Sequence, residues 1–473
     1  MTDIWFDLLH ARADITLSLG LVLAIAVTIH ILLRKREVAS AVGWIGLVWF
    51  APIFGAVVYV MFGVNRVRRR ARKLRPVDDD PSDDFDPPAG IHDGFAALEL
   101  GVRRITGYPL LGGTRVQTFR DGDEAYPPML AAIGDARTSI CLSSYIFDDD
   151  QWGGRFIDAL TQASRRGVAV RVLIDGIGGG WLLSRVYRRL RRNGVPAARF
   201  MHSLLPWRMP FVNLRSHKKI LVIDGAVGFT GGMNISDDNV MATQPRWPVQ
   251  DLHFRLEGPV VRQLVGAFAQ DWQFTTGEDL EGPAWFPEIQ AGDGLPARVI
   301  DAGPDEDLEK IEFAILEAIA CAHTSIVVMT PYFLPDERMI TALSLAAMRG
   351  VAVDVVVPEK TDHRFVDWAL RANSGPLLQN DVRLWLSPPP FHHTKLMVVD
   401  GTWSLIGSSN WDIRSFRLNF ELCAELYDPA VSATLTGIMD RNRGRRLTQE
   451  ALDSRALPLR IRDAGARLLL PYL

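Results

Sequence analysis

Cysteine is scarce in this chain. Its 473 residues include three, Cys141, Cys321 and Cys423, each inside an apolar run and far from the others. An odd, scattered set excludes a disulfide framework and a cysteine-based metal cluster, and suits small buried hydrophobes in a reducing compartment. Net charge is scarce too: 52 Lys and Arg stand against 55 Asp and Glu, a formal balance of -3. The overall positive charge that drives non-specific nucleic-acid binding is missing, so only a local basic cleft would admit such a partner. Hydrophobic residues make up 48% and charged residues 23%, an ordinary globular balance. The length exceeds what one core usually holds, so two or more domains are expected.

Charge is absent from two long stretches near the N-terminus. Residues 15–33, "ITLSLGLVLAIAVTIHILL", and 41–63, "AVGWIGLVWFAPIFGAVVYVMFG", contain no Asp, Glu, Lys or Arg. Each is long enough to cross a hydrocarbon core of about 30 Å. A cleaved signal peptide fits the first less well, because "RKR" stands where a small-residue cleavage site belongs. The pattern predicts a two-helix transmembrane hairpin over residues 1–65, with helices at about 15–33 and 41–63. A partly inserted hairpin is the second choice, since Pro52 suggests a kink or a shallow path. Trp44, Trp49 and Tyr59 are placed to act as interfacial anchors. Seven cations follow between Arg66 and Arg75, against three in the connecting "RKR". That imbalance puts the bulk of the chain on the cytoplasmic side, and the cluster also suits anionic lipid headgroups. Residues 77–90, "VDDDPSDDFDPPAG", have almost nothing to bury and read as a solvated linker, placed within a basic then acidic segment, 66–112.

The remainder is a duplication. "HKKILVIDG" at 217–225 returns as "HTKLMVVDG" at 393–401, and "GGMN" at 231–234 returns as "GSSN" at 407–410. His217 to Asn234 and His393 to Asn410 both span 17 residues, and "RGVAV" occurs upstream of each, at 166–170 and 349–353. Paired landmarks in one order with one spacing mark two copies of a unit. The expected repeats are 113–292 and 293–473. Each reads as strand, helix, strand, variable insert, then the His-Lys strand. Helices are predicted at about 154–166 and 337–349, and strands at 168–175 and 351–358. The fold class is therefore α/β, with two sandwich repeats related by a pseudo-two-fold axis. That axis would bring His217 and His393 together across 176 residues of sequence.

Two imidazoles, two ammoniums and two amides facing one point suit a phosphate diester. His217 and Lys219 share a strand face, as do His393 and Lys395. The lysines would neutralise the non-bridging oxygens, and Asn234 and Asn410 would donate hydrogen bonds to them. One imidazole can attack phosphorus while the other protonates the leaving alkoxide. No metal or other cofactor is required, because the cations supply the charge; zinc on the same histidines is disfavoured by the adjacent lysines. Asp224 and Asp400 have the opposite strand parity and precede Gly, which suggests turn-capping roles. Asp251 and Glu421, at or within later strands, are the candidates for orienting a histidine through its second nitrogen. Trp207, Met209 and Phe211, beside Arg208 and Arg215, could dip into a bilayer or pack as a buried loop.

With both HxKxxxxDG motifs and both Gly/Asn motifs in view, residues from about 115 to 445 resemble the phospholipase D superfamily. The family pattern falls on His217, Lys219, Asp224, His393, Lys395 and Asp400 as its catalytic motif residues. The resemblance implies a metal-free covalent phosphohistidine mechanism, with His217 as nucleophile and His393 as acid and base. It also implies that later acids such as Asp251 and Glu421 serve these histidines. Within the superfamily, the N-terminal hairpin ending "VVYVMFGVNR", "GGMNISDD" and "SSNWDIRSFRLNFE" are similar to bacterial cardiolipin synthases. That likeness implies phosphatidyl transfer between two phosphatidylglycerol molecules at the bacterial inner membrane, with anionic lipids and the bilayer as partners and no nucleic acid. Ser216 stands where Asn or Asp is common in the family, which leaves the acceptor alcohol open; water, giving a hydrolase, is the alternative.

Overall fold

The computed structural model describes residues 2–34, 38–63, 93–180, 183–202, 214–304 and 309–468. The basic cluster after residue 65, the acidic linker, and Trp207, Arg208, Met209 and Phe211 lie outside them. The chain divides into two compact units, 1–70 with 203–213, and 71–202 with 214–473.

In the first unit a helix runs Thr2–Arg34, and its segment 14–34 is, among the described residues, the one helical stretch long and apolar enough to cross a membrane. The second apolar run does not form the single helix expected over 41–63. It makes a helix Val38–Phe50, breaks at Ala51 (φ -138°, ψ 78°), resumes as Pro52–Val58 and ends in a π turn, Tyr59–Gly63. Pro52 has no N–H for the preceding turn and its ring excludes the residue four before it, so it starts a helix instead of continuing one. Ala24, Val27, Ile31, Trp44, Val48 and Tyr59 form the interior. Trp44 and Tyr59 are thus turned inward, and the Tyr59 hydroxyl lies 2.8 Å from His30 Nδ1. Of the three expected anchors only Trp49 faces out, where Phe50, Leu17 and Leu33 are also exposed. Such an apolar exterior suits membrane association.

Among its described residues the second unit carries twenty strands. The first repeat supplies β1 (Leu111–Arg120), β2 (Ser139–Ser144), β3 (Ala169–Asp175), β4 (Ala197–Phe200), β5 (Arg215–Ser216), β6 (Ile220–Ile223), β7 (Val227–Gly231), β8 (Val249–Gln250) and β9 (Leu252–Glu257). The second supplies β10 (Leu295–Ala302), β11 (Ser325–Met329), β12 (Phe333–Leu334), β13 (Ala352–Pro358), β14 (Arg383–Ser387), β15 (Phe391–His392), β16 (Leu396–Val399), β17 (Trp403–Gly407), β18 (Trp411–Asp412), β19 (Asn419–Tyr427) and β20 (Arg445–Leu447). One mixed sheet runs β14-β13-β11-β16-β17-β19-β10-β1-β9-β7-β6-β2-β3-β4, with β20 beyond β14. The order is palindromic about the antiparallel β10–β1 pair, so each half is a copy of the other turned by a two-fold.

Helices cover the sheet as the sequence period requires. Gln151–Arg165 buries Phe156, Ile157, Leu160 and Ala163, one stripe of a 3.6-residue repeat, and is capped by the Asp150 carboxylate accepting from Gly153 N–H. Its counterpart Glu337–Met348 buries Met339, Leu343 and Ala346 under an Asp336 cap. The segment 66–112, expected to be linker throughout, is helical at Ala96–Thr106, and there Leu98 and Val102 join the core of the second repeat. An amphipathic helix this short next to an acidic run is weak as a sequence signal.

Candidate active site

Two-residue strands carry the catalytic motifs across the repeat boundary. β5 pairs in parallel with the start of β19, and His217 N–H then donates to Phe420 O at 2.8 Å. β15 pairs in the same way with β8, and His393 N–H donates to Gln250 O at 2.7 Å. Each motif is threaded onto the other repeat. The two imidazole centroids stand 6.3 Å apart with planes at 79°.

The orienting acids are crossed as well. His217 Nδ1 lies 3.0 Å from Glu421 Oε2 and 3.0 Å from Ser408 O, while His393 Nδ1 lies 2.9 Å from Asp251 Oδ2. Two acceptors at Nδ1 of His217 place its proton there, which leaves the Nε2 lone pair unprotonated. Burial lowers the affinity of His217 for a proton well below the ordinary value, helped by Lys219 and Lys395. Burial and Lys395 likewise lower His393, against the pull of Asp251. Burial thus disfavours the charged form of both rings.

Lys219 and Lys395 are buried and fold onto their own histidines. Lys219 Nζ donates to His217 O at 2.7 Å; Lys395 Nζ sits 2.7 Å from His393 Nδ1 and also reaches His393 O. Burial and mutual repulsion hold Lys219 far below its usual range, and burial brings Lys395 down to about 8. An arriving phosphate anion would restore both charges. Asn234 and Asn410 line the cleft; Asn234 Oδ1 accepts from Ile146 N–H at 3.3 Å, which leaves its NH₂ as donor. The cleft encloses about 540 Å³ around His217 and His393, room for a lipid headgroup.

Against known sequences, residues 129–272 and 315–443 match the family described as "Cardiolipin synthase, PLD-like domain". The chain belongs to this family. Residues 22–63 match a second family, "Phospholipase D-nuclease N-terminal". The "Cardiolipin synthase" of Geobacillus sp. (strain WCH70) is 32% identical over 486 aligned positions, covering 100% of this chain and 96% of that protein. The "Major cardiolipin synthase ClsA" of Bacillus subtilis (strain 168) is 30% identical, covering 98% and 99%. Among solved structures, phosphatidylserine synthase from Haemophilus influenzae Rd KW20 superimposes with a TM-score of 0.61 at 14% identity, over 80% of this chain and 100% of that one, a likeness of fold. Membership at full length makes the protein a phosphatidyltransferase-class enzyme of the cardiolipin synthase, PLD-like family.

Of the family's motif residues, Asp224 and Asp400 stand outside the cleft. Asp224 accepts the N–H groups of Arg137, Thr138 and Ser139, and Asp400 those of His323, Thr324 and Ser325. Both sit at positive φ, 52° and 49°, and tie the β6 and β16 turns to the starts of β2 and β11. Their place in the catalytic set is corrected to a structural one, as strand parity implied.

The two orienting carboxylates differ. Burial pushes Glu421 up to about 7 despite Lys219, whereas Lys395 and His393 overcome burial and hold Asp251 below the usual carboxylate range. Glu421 is held by Ser408 Oγ at 2.5 Å and Asn419 Nδ2 at 3.0 Å. The position equivalent to Ser408 is Gly232, where a Cβ would fall 2.5 Å from Asp251 Oδ1. Sequence reasoning missed Tyr145, packed 5.0 Å from the His217 ring, and Tyr332, 6.3 Å from the His393 ring. It also missed Lys218, whose Nζ turns away from the cleft to Asp271 (2.9 Å) and Asp301 (2.6 Å). The "SSYIF" and "TPYF" runs that precede each motif were the available signal for the tyrosines.

Proposed function

We propose that the enzyme converts two phosphatidylglycerol molecules into cardiolipin and glycerol through a phosphatidyl-histidine. The observation that carries this reading is the crossed pair: two imidazoles 6.3 Å apart, each tied at Nδ1 to a carboxylate of the opposite repeat.

His217 Nε2 attacks phosphorus of the first lipid, forming P–N as the bond to the headgroup glycerol breaks. His393, which takes a proton from solvent as the anionic substrate arrives, gives it to the departing alkoxide and becomes the base; the proton it later takes from the second lipid's hydroxyl returns to solvent or serves the next cycle. The hydroxyl of the second phosphatidylglycerol then loses its proton to His393 and attacks phosphorus, and His217 leaves. Asp251 stabilises the imidazolium that forms on His393 twice per cycle. Lys219, Lys395, Asn234 and Asn410 carry the charge of the five-coordinate phosphorus. These cations fill the role a divalent metal plays in other phosphoryl transfers, so no cofactor enters the scheme.

The N-terminal unit anchors the enzyme, with both apolar runs inserted and the catalytic unit on the cytoplasmic side of the inner membrane. The basic segment after the second run supports that side. Boundaries near 113–292 and 293–473 describe the two repeats.

Purified protein in phosphatidylglycerol vesicles should release cardiolipin and glycerol in equal amounts. His217→Ala and His393→Ala should each abolish release. Phosphatidic acid as the main product would replace the transferase reading with a hydrolase, and full turnover in either variant would dismiss the shared site.

A further inference from the structure

The two walls of the cleft carry equivalent tyrosines in unequal surroundings. Tyr145, just after β2, packs 5.0 Å from the His217 ring, and Tyr332, just after β11, packs 6.3 Å from the His393 ring. The loop after β3 meets Tyr145 with glycine: a Cβ on Gly178 would fall 2.7 Å from Tyr145 Cε2. The loop after β13 meets Tyr332 with a carboxylate: the Tyr332 hydroxyl donates to Asp362 Oδ1 at 2.6 Å. Tyr332, Asp362, His363, Phe391 and His393 all line the cleft. The repeat therefore does not demand an acid against the tyrosine, and Asp362 is a departure from symmetry on the His393 side.

The wall around this acid is fixed. The Phe391 ring stands 5.9 Å from His393 and 6.2 Å from Tyr332, and the His363 ring stands 5.9 Å from Tyr332. Thr361 N–H donates to Asp367 Oδ1 at 3.0 Å and His363 N–H to Thr361 Oγ1 at 3.1 Å, so the backbone on both sides of Asp362 is tied to the start of the helix Arg364–Asn373. The carboxylate is thus held one tyrosine away from the His393 imidazole. Its Oδ2 lies 3.7 Å from His363 Nε2, too far for a hydrogen bond, and the side chain is 53% exposed. Asp362 therefore has lone pairs to offer within the cleft, and the Tyr332 oxygen, having donated its proton, remains an acceptor.

In the transfer scheme above, His393 exchanges a proton with a glycerol oxygen in both steps. The departing glycerol and the entering headgroup therefore occupy one place beside it. In each, the carbon next to the one bearing the reacting oxygen carries a second hydroxyl. A carboxylate and a phenol oxygen accept from such a hydroxyl, whereas water and a monohydric alcohol have none to give. An ammonium headgroup suits the place less well: Lys395 Nζ already sits 2.7 Å from His393 Nδ1, and Lys219 Nζ is held on His217 O, so a third cation adds repulsion where a neutral polyol adds none. Resting on the phosphatidyl-transfer reading above, we propose that Asp362 and Tyr332 form a polyol subsite, which receives the non-reacting hydroxyl of the glycerol headgroup. The subsite selects glycerol-type acceptors over simple alcohols where the two histidines alone would accept any hydroxyl.

The test is a partition experiment on the full-length protein in detergent micelles of phosphatidylglycerol, with deuterated glycerol, 1-propanol and ethanolamine at equal concentration. Mass spectrometry reads deuterated phosphatidylglycerol, phosphatidylpropanol and phosphatidylethanolamine, all formed from the same phosphohistidine. The wild type should favour glycerol over 1-propanol, and in Asp362→Ala that ratio should fall about tenfold, with phosphatidylpropanol still formed. Tyr332→Phe should lower the ratio by a smaller factor, and Asp362→Asn, which keeps an acceptor oxygen, should hold part of it. Phosphatidylpropanol itself proves that a variant is folded and forms the intermediate. An unchanged ratio in Asp362→Ala, equal loss of both products as a structural role would give, or a wild-type preference for ethanolamine would overturn the polyol subsite while leaving the transferase reading intact. A wild-type enzyme that forms none of the three products and no cardiolipin would instead overturn the transferase reading, and this subsite with it.

Discussion

Replacing each orienting carboxylate by its amide isostere should give two different pH signatures. Asp251 is buried, and Lys395 and His393 keep it ionised throughout the working range. Asp251→Asn preserves shape and an acceptor for Leu252 N–H, but removes the charge 2.9 Å from His393 Nδ1. Two unit charges at about 4 Å in an effective dielectric near 20 attract by about 4 kcal/mol. A neutral hydrogen bond recovers about 1 to 2 kcal/mol of that. The remaining loss, about 2 to 3 kcal/mol, slows proton transfer roughly 100-fold, and this factor should be flat with pH. Glu421 behaves otherwise, because burial raises it to about 7. Well below that value the wild type already carries a neutral side chain at 421, so Glu421→Gln changes little. Above it the wild-type carboxylate is charged and the amide lacks that charge. The wild-type to Glu421→Gln ratio of kcat should therefore fall towards unity well below pH 6, stand at about 10 at pH 6 and approach roughly 100 at about pH 8. Initial rates of glycerol release across that range measure both ratios. A flat Glu421→Gln ratio beside a pH-dependent Asp251→Asn ratio would refute the reasoning.

Lys218→Met leaves Asp271 and Asp301 facing each other in the interior, and should cost about 3 to 5 kcal/mol. Calorimetry should show Tm lower by roughly 4 to 6 °C, and adding Asp271→Asn and Asp301→Asn should recover most of it. Asp224→Ala orphans the Arg137, Thr138 and Ser139 N–H groups. It should lower stability while specific activity of the folded fraction stays within about twofold, as expected of a group that touches no substrate. Those same donors hold the Asp224 carboxyl below its usual range, so its stabilisation is present above its unfolded pKa and fades as pH falls through the folded one. Urea midpoints at two pH values should show a smaller gap between variant and wild type in acid. Gly232→Ala pushes a methyl onto Asp251 Oδ1 and should lower kcat roughly 100-fold with a folded circular dichroism spectrum.

The duplicated motif made most of this architecture legible. Matched spacing from His217 to Asn234 and from His393 to Asn410 encodes the two-fold, and the palindromic sheet is its expression. Strand parity assigned Asp224 and Asp400 to turns. What the chain did not disclose was the crossing. That His217 takes Glu421, and His393 takes Asp251, depends on two-residue strands, Arg215–Ser216 and Phe391–His392, too short to carry a periodic signal. The break at Pro52 was legible as a kink, whereas the π turn at Tyr59–Gly63 was not legible. Trp44 and Tyr59 read as anchors because aromatic residues mark interfaces on average, yet here they pack on each other with centroids 5.3 Å apart. The unequal carboxylates were hidden for a similar reason: Asp and Glu look alike in a strand, and only burial beside particular cations separates them.

Everything depends on one phosphorus atom lying between the two imidazoles and bonding to His217. Acid-labile adducts can be caught by rapid alkaline quenching during turnover of labelled phosphatidylglycerol, followed by peptide mass spectrometry. The phosphatidyl group should appear on the peptide carrying His217, should fall sharply in His393→Ala, which lacks the acid for the departing alkoxide, and should vanish in His217→Ala. Sustained cardiolipin synthesis with no adduct, or an adduct on a residue outside the histidine pair, would contradict the account.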